Sequence, residues 1–355
     1  MSRNFIIEII PDEVVATMKG AQAANNFCNN LLSGDLFDNV YSLAPVNFYF
    51  INSGANDKIR YFTGNPRRPR VMKILSSIKN NIICAIINRK AETIWFYNLC
   101  QANIVCYLIL RYLFRVKCFV LLLDYTPDSN ILRFQHYYPY FIESSHGVIS
   151  LSQRVNIKHL NIKFKAGVWN KDKILQFQPL PSKKKLTFLF CGNMGNHTGF
   201  PLAIETFSKM IDCELFISGK NPSIEVDYGK YNNIHYLGYM EYDEFMKLYE
   251  RVDVCLSFRN PSYPENLYNF PSKIIEFFSQ NKIVVSTIDY PELEGFKYIK
   301  CQYDIDDVIL KIEKILSMSL DELNDYRNNQ SSLIENFSVE SWSNTINVVE
   351  SNNKK

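Results

Sequence analysis

Two charged residues in the second half of the chain have the types and the spacing to bind an anion and a polyol. Lys273 and Glu276 are three residues apart, so a helix would place both side chains on one face. Pro271 and Ser272 precede them and are typical of a helix start, with Ser272 or the residue before it able to cap. A lysine there suits a diphosphate, and a carboxylate suits a pair of sugar hydroxyls. In isolation, an ordinary surface Lys/Glu pair is the default interpretation.

A glycine-rich turn is the second candidate site. Gly192, Gly195 and Gly199 follow an apolar run and lead into a helix predicted from Phe200. Glycines beside a helix N-terminus let the backbone approach an anion closely, with free N–H groups facing it. The spacing matches neither the dinucleotide fingerprint nor a P-loop. A turn that keeps its glycines only for tight geometry explains the pattern equally well.

Parallel sheets must position these residues, because short β-rich runs alternate with helical stretches along the whole chain. Ligands of such sheets bind at the carboxyl ends of the strands, where both candidate sites lie. The predicted strands are 5–10, 46–51, 93–97, 118–123 and 147–151 in the first half, and 186–191, 214–218, 234–237, 254–258 and 282–286 in the second. The predicted helices of the second half are 201–210, 242–250, 272–280, 305–316 and 339–349.

Composition indicates two folded domains with opposite charge. The 355 residues are 47% hydrophobic, which excludes a disordered or collagen-like chain, and the length suits two domains. Residues 1–180 carry 21 basic against 11 acidic side chains, whereas residues 181–355 carry 18 against 25. A proline- and lysine-rich linker at 178–185 marks the boundary. We therefore predict domains at 1–178 and 183–335, with a last helix, 338–350, joining the first domain.

A basic segment of the first half attracts polyanions or an anionic membrane surface. Nine bases and no acid lie between Lys58 and Lys90, although a solvated basic face explains them as well. Within it, 71–87 places apolar residues at helical spacing; core packing is the preferred interpretation and peripheral membrane attachment the alternative. The apolar stretch 104–123 carries three charges and is predicted as a buried helix followed by a strand, not a membrane span.

The cysteines and the first residues indicate a cytoplasmic protein. Nine cysteines, an odd number without a Cys-x-x-Cys pair, lie mostly in apolar runs and are expected to be reduced. The first residues lack the pattern of a signal peptide. We predict a cytoplasmic location, with the inner membrane face as the site of any peripheral attachment.

Motifs of the second half, read in order, resemble a known family. After the glycine-rich turn come Leu-Phe-Ile-Ser-Gly at 215–219, Asn-Ile-His-Tyr-Leu-Gly-Tyr at 233–239, Leu-Tyr-Glu-Arg-Val-Asp-Val at 248–254, Pro-Ser-Lys-Ile-Ile-Glu-Phe at 271–277 and Lys-Ile-Val-Val-Ser-Thr at 282–287. This succession closely resembles the donor-binding half of the GT-B glycosyltransferases, specifically their retaining, GT4-like group, over residues 186–316. In the first half the resemblance rests on Lys19-Gly20-Ala21 and Leu123-Asp124-Tyr125.

The resemblance implies an α/β GT-B fold, with two Rossmann-like, doubly wound parallel-sheet domains facing across a cleft. The first would bind the acceptor and the second a nucleotide-sugar. Glu276 would hold the ribose hydroxyls, and Ser272 and Lys273 would meet the diphosphate. The other implied donor-binding residues are Gly192, Asn193, Gly195, Gly219 and Lys220 around the phosphate turns, with Tyr239 and Met240 beside the base.

Other residues would act on the transferred sugar or the acceptor. Asp124 would orient or deprotonate an acceptor hydroxyl, but it suits an ordinary turn as well. Gly20 would permit a close loop under the donor phosphate. His136 is placed near the cleft, although a packed surface histidine is the plainer interpretation. The segment facing the sugar would contribute Glu265, Asn266, Tyr268 and Asn269.

The sequence departs from the family pattern at several positions. Asn193 and Thr198 stand where the family often has Arg and Lys, so Arg259, Lys273 and Lys220 are the candidates for stabilising the leaving diphosphate. Tyr268 replaces the first glutamate of the usual Glu-x7-Glu pair, and Glu265 is its candidate substitute. Asn281 replaces a glycine, which asparagine tolerates because it adopts the left-handed conformation.

The acids at 304 and 306 match an Asp-x-Asp metal motif but precede a helix, so we interpret them as capping residues and predict no metal requirement.

The predicted function is retaining transfer of a sugar from a UDP- or GDP-sugar to a glycan acceptor, lipid-linked, in bacterial surface polysaccharide biosynthesis of capsule or O-antigen type. Asp124, Lys273 and Arg259 are the predicted catalytic residues. Arg67, Arg68, Arg70 and Lys73 would meet an anionic membrane, and no nucleic-acid partner is expected. Two alternatives stay open: a nucleotide-sugar 2-epimerase of the same architecture, and a catalytically silent GT-B subunit that partners an active enzyme.

Overall fold

The computed structural model describes residues 2–11, 14, 23–43, 58–62, 67–123, 138–180, 182, 185–220 and 222–352. The chain divides into two compact units, Met1–Asn170 with Phe337–Lys355, and Lys171–Asn336. The division precedes the linker at 178–185, because the residues before the linker and at its start bond to the second unit. The N–H of Leu175 donates to the Ser279 carbonyl, and Arg327 donates to the Gln178 carbonyl.

The first unit is built on a seven-stranded parallel sheet in the order β3-β2-β1-β4-β5-β6-β7. Helices cover the sheet, so its central strands are apolar on both faces. The strands are β1 (Arg3–Ile7), β2 (Asn39–Leu43), β3 (Ile59–Phe62), β4 (Thr93–Tyr97), β5 (Lys117–Leu122), β6 (Gly147–Ser150) and β7 (Ile162–Phe164). The helices are α1 (Ala23–Leu32), α2 (Arg70–Asn88), α3 (Ile104–Leu108, continued by a π-helical turn, Ile109–Leu113) and α4 (Tyr138–Glu143).

The second unit is built on a six-stranded parallel sheet in the order β10-β9-β8-β11-β12-β13. Its strands are β8 (Thr187–Asn193), β9 (Glu214–Lys220), β10 (Ile234–Tyr236), β11 (Val254–Ser257), β12 (Ile283–Ser286) and β13 (Ile299–Lys300). Its helices are α5 (Phe200–Lys209), α6 (Tyr242–Leu248), α7 (Pro264–Tyr268), α8 (Lys273–Ser279), α9 (Ile305–Ser317), α10 (Leu320–Arg327) and α11 (Gln330–Phe337). A last helix, α12 (Val339–Ser351), packs on the first unit through the buried Trp342.

Most predicted elements agree with the structure to within a few residues at each end. The four strands β2, β3, β7 and β13 were not predicted, because each is short and none is a sustained apolar run. The predicted strand 46–51 lies outside the described residues. The apolar stretch 104–123 forms a helix to Leu113 and then β5, as predicted, and no helix among the described residues is long and apolar enough to span a membrane.

The prediction that the apolar residues of 71–87 pack in the core is wrong. The segment is helical, as α2, but the aliphatic side chains at the predicted spacing are exposed, and only the neighbouring Ile83 packs partly against the core. The buried residues of α2 are instead Asn81, Cys84, Ala85 and Asn88. Small and amide side chains let the helix lie close to its neighbours, and the larger residues point outward.

Three local predictions are confirmed. Asp304 is the N-cap of α9, where its carboxylate accepts from the N–H groups of Asp306 and Asp307. Asn281 follows α8 with a φ of 54°, the left-handed conformation expected of a residue in place of glycine. All nine cysteines are free.

Candidate functional site

The glycine turns of β8 and β9 lie side by side at the carboxyl edge of the second sheet. Gly192 pairs with Gly219, and Asn193 pairs with Lys220. A methyl group added at Gly219 would lie 2.1 Å from the Gly192 carbonyl oxygen, so only glycine permits this approach. Gly192 has a φ of 116°, which side chains rarely adopt. The two turns are therefore packed backbone to backbone at this edge, with Gly192 partly exposed and Gly219 buried.

Lys273 lies over the first of these turns. A methyl group at Gly192 would stand 3.6 Å from Lys273 Cε, and Lys273 Nζ donates to Cys191 Sγ at 3.3 Å. The ammonium group also lies 4.8 Å from the ring centroid of Phe245. Burial alone would lower the pKa of Lys273, but the Cys191 sulfur and the Glu276 carboxylate outweigh it, so the pKa is raised and the side chain remains charged.

Glu276 lies one helical turn after Lys273 and is buried. The Tyr249 hydroxyl donates to Glu276 Oε1 at 2.5 Å. Burial, and then the Glu276 carboxylate, raise the pKa of Tyr249 well above its ordinary value, so the phenol keeps the proton it donates. Tyr249 is thus a fixed donor that holds Glu276 Oε1.

Arg259 is fixed by the loop after β11. Its backbone N–H donates to Thr287 Oγ1 at 2.7 Å, and the Thr287 hydroxyl donates back to the Arg259 carbonyl at 2.8 Å. Its guanidinium donates to Asn266 Oδ1 at 3.1 Å. Burial lowers the pKa of Arg259, yet a guanidinium stays protonated at neutral pH. Arg259 is therefore a positioned cation.

Asn266 joins this loop to the glycine-rich turn. Its side chain is 1% exposed, and its amide donates to the carbonyls of His197 and Asn260 at 2.7 and 2.9 Å. Its oxygen accepts from Arg259. All three contacts are internal, so the structure places Asn266 among the residues that shape the site rather than on its open surface.

Lys220, Tyr239 and Met240 form the second group at this edge. Lys220 Nζ lies 5.4 Å from the ring centroid of Tyr239, whose side chain is exposed. The N–H of Gly219 donates to the Gly238 carbonyl at 3.0 Å, which ties the turn after β10 to the turn after β9. Met240 is half-buried beside them in sequence. An exposed aromatic ring next to a cation suits a nucleobase or a phosphate.

The remaining predicted residues of the second unit lie at turns and helix starts. Asn193 is exposed at the end of β8, and Thr198 closes the turn because its hydroxyl donates to the carbonyls of Asn193 and Gly195. Ser272 occupies the N-cap position of α8 but makes no capping bond through its side chain. Three others, Glu265, Tyr268 and Asn269, are half-buried in or beside α7.

Asp124, Gly20 and His136 lie outside the described residues. The structure therefore says nothing of the predicted acceptor side. Within the described chain, no group of three His, Cys, Asp or Glu side chains is placed to hold a metal ion.

Sequence reasoning missed the residues that hold the site together, chiefly Tyr249, Phe245 and Thr287. Tyr249 falls within the 248–254 motif, but its residue type does not separate it from an ordinary core tyrosine. Its role comes from packing: the turn after α6 brings it against α8. Phe245 lies one turn earlier and meets Tyr249 edge to face at 5.2 Å.

Comparisons with known proteins agree with this architecture. No protein-family model matches the sequence, and no curated protein matches it in sequence. HepE from Anabaena, solved with UDP and glucose, has a TM-score of 0.71 at 13% identity, over 99% of this chain and 100% of HepE. The lipopolysaccharide outer core galactosyltransferase WaaB has a TM-score of 0.63 at 12% identity, over 99% of each chain.

A UDP-GlcNAc 2-epimerase from Neisseria meningitidis, bound to UDP-GlcNAc, has a TM-score of 0.53 at 11% identity, over 100% of each chain. Identities this low show the fold alone. The chain has the α/β GT-B fold, with two parallel-sheet domains, as the sequence predicts.

Proposed function

We propose that the chain is a retaining, GT4-like glycosyltransferase that moves a hexosyl group from a nucleotide-diphosphate sugar to a glycan acceptor. The observation that carries the proposal is the placement of Lys273 and Glu276. Both lie on α8, and the side chain of Lys273 lies over the turn at Gly192. A cation beside a glycine turn fits a diphosphate, and a buried carboxylate oriented by a tyrosine fits vicinal hydroxyls.

The chemistry follows from charge that develops on the leaving diphosphate. Preorganised cations accelerate the reaction when they bind that charge more strongly in the transition state than in the ground state. Lys273 is held by Cys191 and Phe245, and Arg259 by Asn266 and Thr287, so neither must reorganise during the reaction. Lys220 adds a third cation at the adjacent strand end. These cations would act without a metal ion.

The acceptor side of the proposal rests on the sequence. A lipid-linked glycan of a surface polysaccharide is the acceptor class that a basic first half suits, with Arg67, Arg68, Arg70 and Lys73 toward an anionic membrane. Asp124 would be the acceptor-orienting carboxylate, and Gly20 and His136 would lie near it. The chain would work at the cytoplasmic face of that membrane.

Donor turnover tests the proposal. A thermal-shift screen against UDP, GDP, TDP and CMP identifies the base, because a ligand that binds only the folded state raises its stability. Turnover of the matching nucleotide-sugar is then measured with Lys273→Ala and Glu276→Ala, and with Lys314→Ala and Glu313→Ala, exposed residues of α9, as controls. We expect the first pair to lose turnover by at least tenfold and the controls to retain it.

The epimerase alternative is favoured by the similarity to the UDP-GlcNAc 2-epimerase fold. Conversion of a UDP-sugar to its 2-epimer without any acceptor would replace the transferase proposal with that one. A silent GT-B subunit would bind the nucleotide but turn over no donor in any variant. Release of the nucleotide together with transfer to a glycan supports the transferase.

A further inference from the structure

The outward face of α2 is the most apolar exposed surface on any described helix. Eight large apolar side chains between Val71 and Ile87 are each 38% to 67% exposed. Six of them recur at spacings of three and four residues and so share one face: Val71, Ile74, Leu75, Ile78, Ile82 and Ile86. We call these six the α2 aliphatic face. At about 1.5 Å per residue, the 19-residue helix is roughly 28 Å long.

The buried side of α2, which adjoins the aliphatic face, is fixed to the first unit, so the helix cannot roll its aliphatic face inward. Asn81, 1% exposed, donates to the carbonyls of Ser77 and Ala102 and accepts from the Cys106 N–H at 2.9 Å. Asn88, also 1% exposed, donates to the Cys84 carbonyl and accepts from the Asn4 amide at 2.6 Å. Rotation would break these buried bonds, and each unmade bond of this kind is costly.

Charge around the α2 aliphatic face selects its partner. Bases without a single acid run from Lys58 to Lys90, and Arg70 and Lys79 are exposed on α2 itself. A second copy docked by the same face would bring identical bases together, because a twofold interface pairs like with like. An anionic lipid surface instead offers hydrocarbon for the aliphatic face and phosphate for the bases.

We propose that α2 is an interfacial helix that inserts the α2 aliphatic face into the outer hydrocarbon of an anionic lipid bilayer. The helix lies in the plane of the surface, and its bases contact lipid phosphates. The inference goes beyond the proposed function, because it adds insertion to electrostatic attraction and requires neither donor nor acceptor.

Vesicle flotation tests it, with the full chain and two vesicle compositions. The native protein is expected to float with vesicles of 30% phosphatidylglycerol in phosphatidylcholine and to remain in solution with phosphatidylcholine alone. Raised salt should weaken flotation without abolishing it, because the apolar contribution is not screened. The double substitution L75D/I82D should lower the partition coefficient at least tenfold, because it removes apolar surface from the inserted face. Lys79→Glu should lower the partition coefficient about fivefold, because it reverses one charge near the lipid phosphates.

Leu310→Asp is the matched control, since Leu310 is 59% exposed on α9 of the other unit, and it should float like the native protein. Unchanged circular dichroism and unchanged nucleotide binding show that the α2 variants are folded, which separates this test from the proposed function. Native protein that does not float, or L75D/I82D that floats equally, overturns the proposal. A dimer of the native protein, detected by ultracentrifugation and dissociated by L75D/I82D, would also overturn the proposal.

Discussion

Tyr249 and Glu276 form a buried pair in which the tyrosine has one function for the site, to orient a carboxylate. The 2.5 Å bond to Oε1 fixes the direction of the Glu276 carboxylate. Asn266 acts in the same way on Arg259. Neither Tyr249 nor Asn266 needs to touch the substrate, so we regard both as positioning residues.

Tyr249→Phe should weaken binding of the nucleoside diphosphate about fivefold, because a net hydrogen bond of about 1 kcal/mol holds Glu276 in place. Titration calorimetry measures the change. Tyr228→Phe is the matched control, because the buried Tyr228 hydroxyl has no hydrogen-bond partner among the described residues. Equal affinity in both variants would show that Glu276 does not depend on Tyr249.

His146 makes the first unit sensitive to acid. Burial, and then the nearby Arg111, lower the pKa of His146 to about 4, and its Nδ1 accepts from the Cys118 N–H at 2.9 Å. The unfolded chain takes up this proton near pH 6.5, before the folded chain does. The stability that depends on neutral His146 is therefore complete above pH 6.5 and is lost as the pH falls toward 4.

Because His146 is partly exposed, the loss should be about 1 to 2 kcal/mol, discounted for solvent screening. Denaturant unfolding of the native chain and of His146→Gln, at pH 7 and pH 4.5, measures it. The substituted chain should lose less stability between the two pH values, and an equal loss would contradict the assignment.

Among the secondary-structure elements, the turns that end β8 and β9 pack directly against each other. The contact between Gly219 and the Gly192 carbonyl lets two strand ends meet where Lys273 lies over them. Gly219→Ala should therefore cost about 2 kcal/mol of unfolding free energy through overpacking and weaken nucleotide binding. Gly229→Ala is the control, since its nearest neighbour is the local Asp227 carboxylate at 3.3 Å. Equal stability of the two variants, measured by denaturant unfolding, would contradict this account.

Helices and strands that are determined by a local sequence pattern could be predicted from the sequence. The apolar runs of β4, β6 and β9 and the helix α8 were predicted to within two residues, and so was the cap of α9. The short strands β2 and β3 were missed because pairing creates them, β2 against β1 and β3 against β2, and pairing is a tertiary property. For the same reason the motifs locate Lys273 and Glu276 in the sequence but not the Tyr249 contact. The α2 aliphatic face was misassigned because periodicity shows a face without showing what covers it.

Across the whole molecule, the near-neutral net charge of +3 is the sum of a basic first half and an acidic second half. Residues 181–355 are acidic overall, with 18 bases against 25 acids, yet three cations, Lys220, Arg259 and Lys273, lie in or after strands β8 to β11 and at the start of α8. Local placement thus matters more than net charge for an anionic ligand. The basic excess of the first unit is concentrated around α2, the surface proposed to meet lipid.

We propose that the carboxyl edge of the second sheet binds a nucleoside diphosphate through Lys273 and Glu276. Titration calorimetry with UDP and GDP tests it most directly. We expect one of the two nucleotides to bind the native chain. Lys273→Ala should weaken its affinity at least tenfold, because a charged hydrogen bond contributes about 1.5 to 3 kcal/mol. Lys314→Ala should leave the affinity unchanged. Equal binding by the native chain and Lys273→Ala, or no binding of either nucleotide, would show that this edge is not a nucleoside diphosphate site.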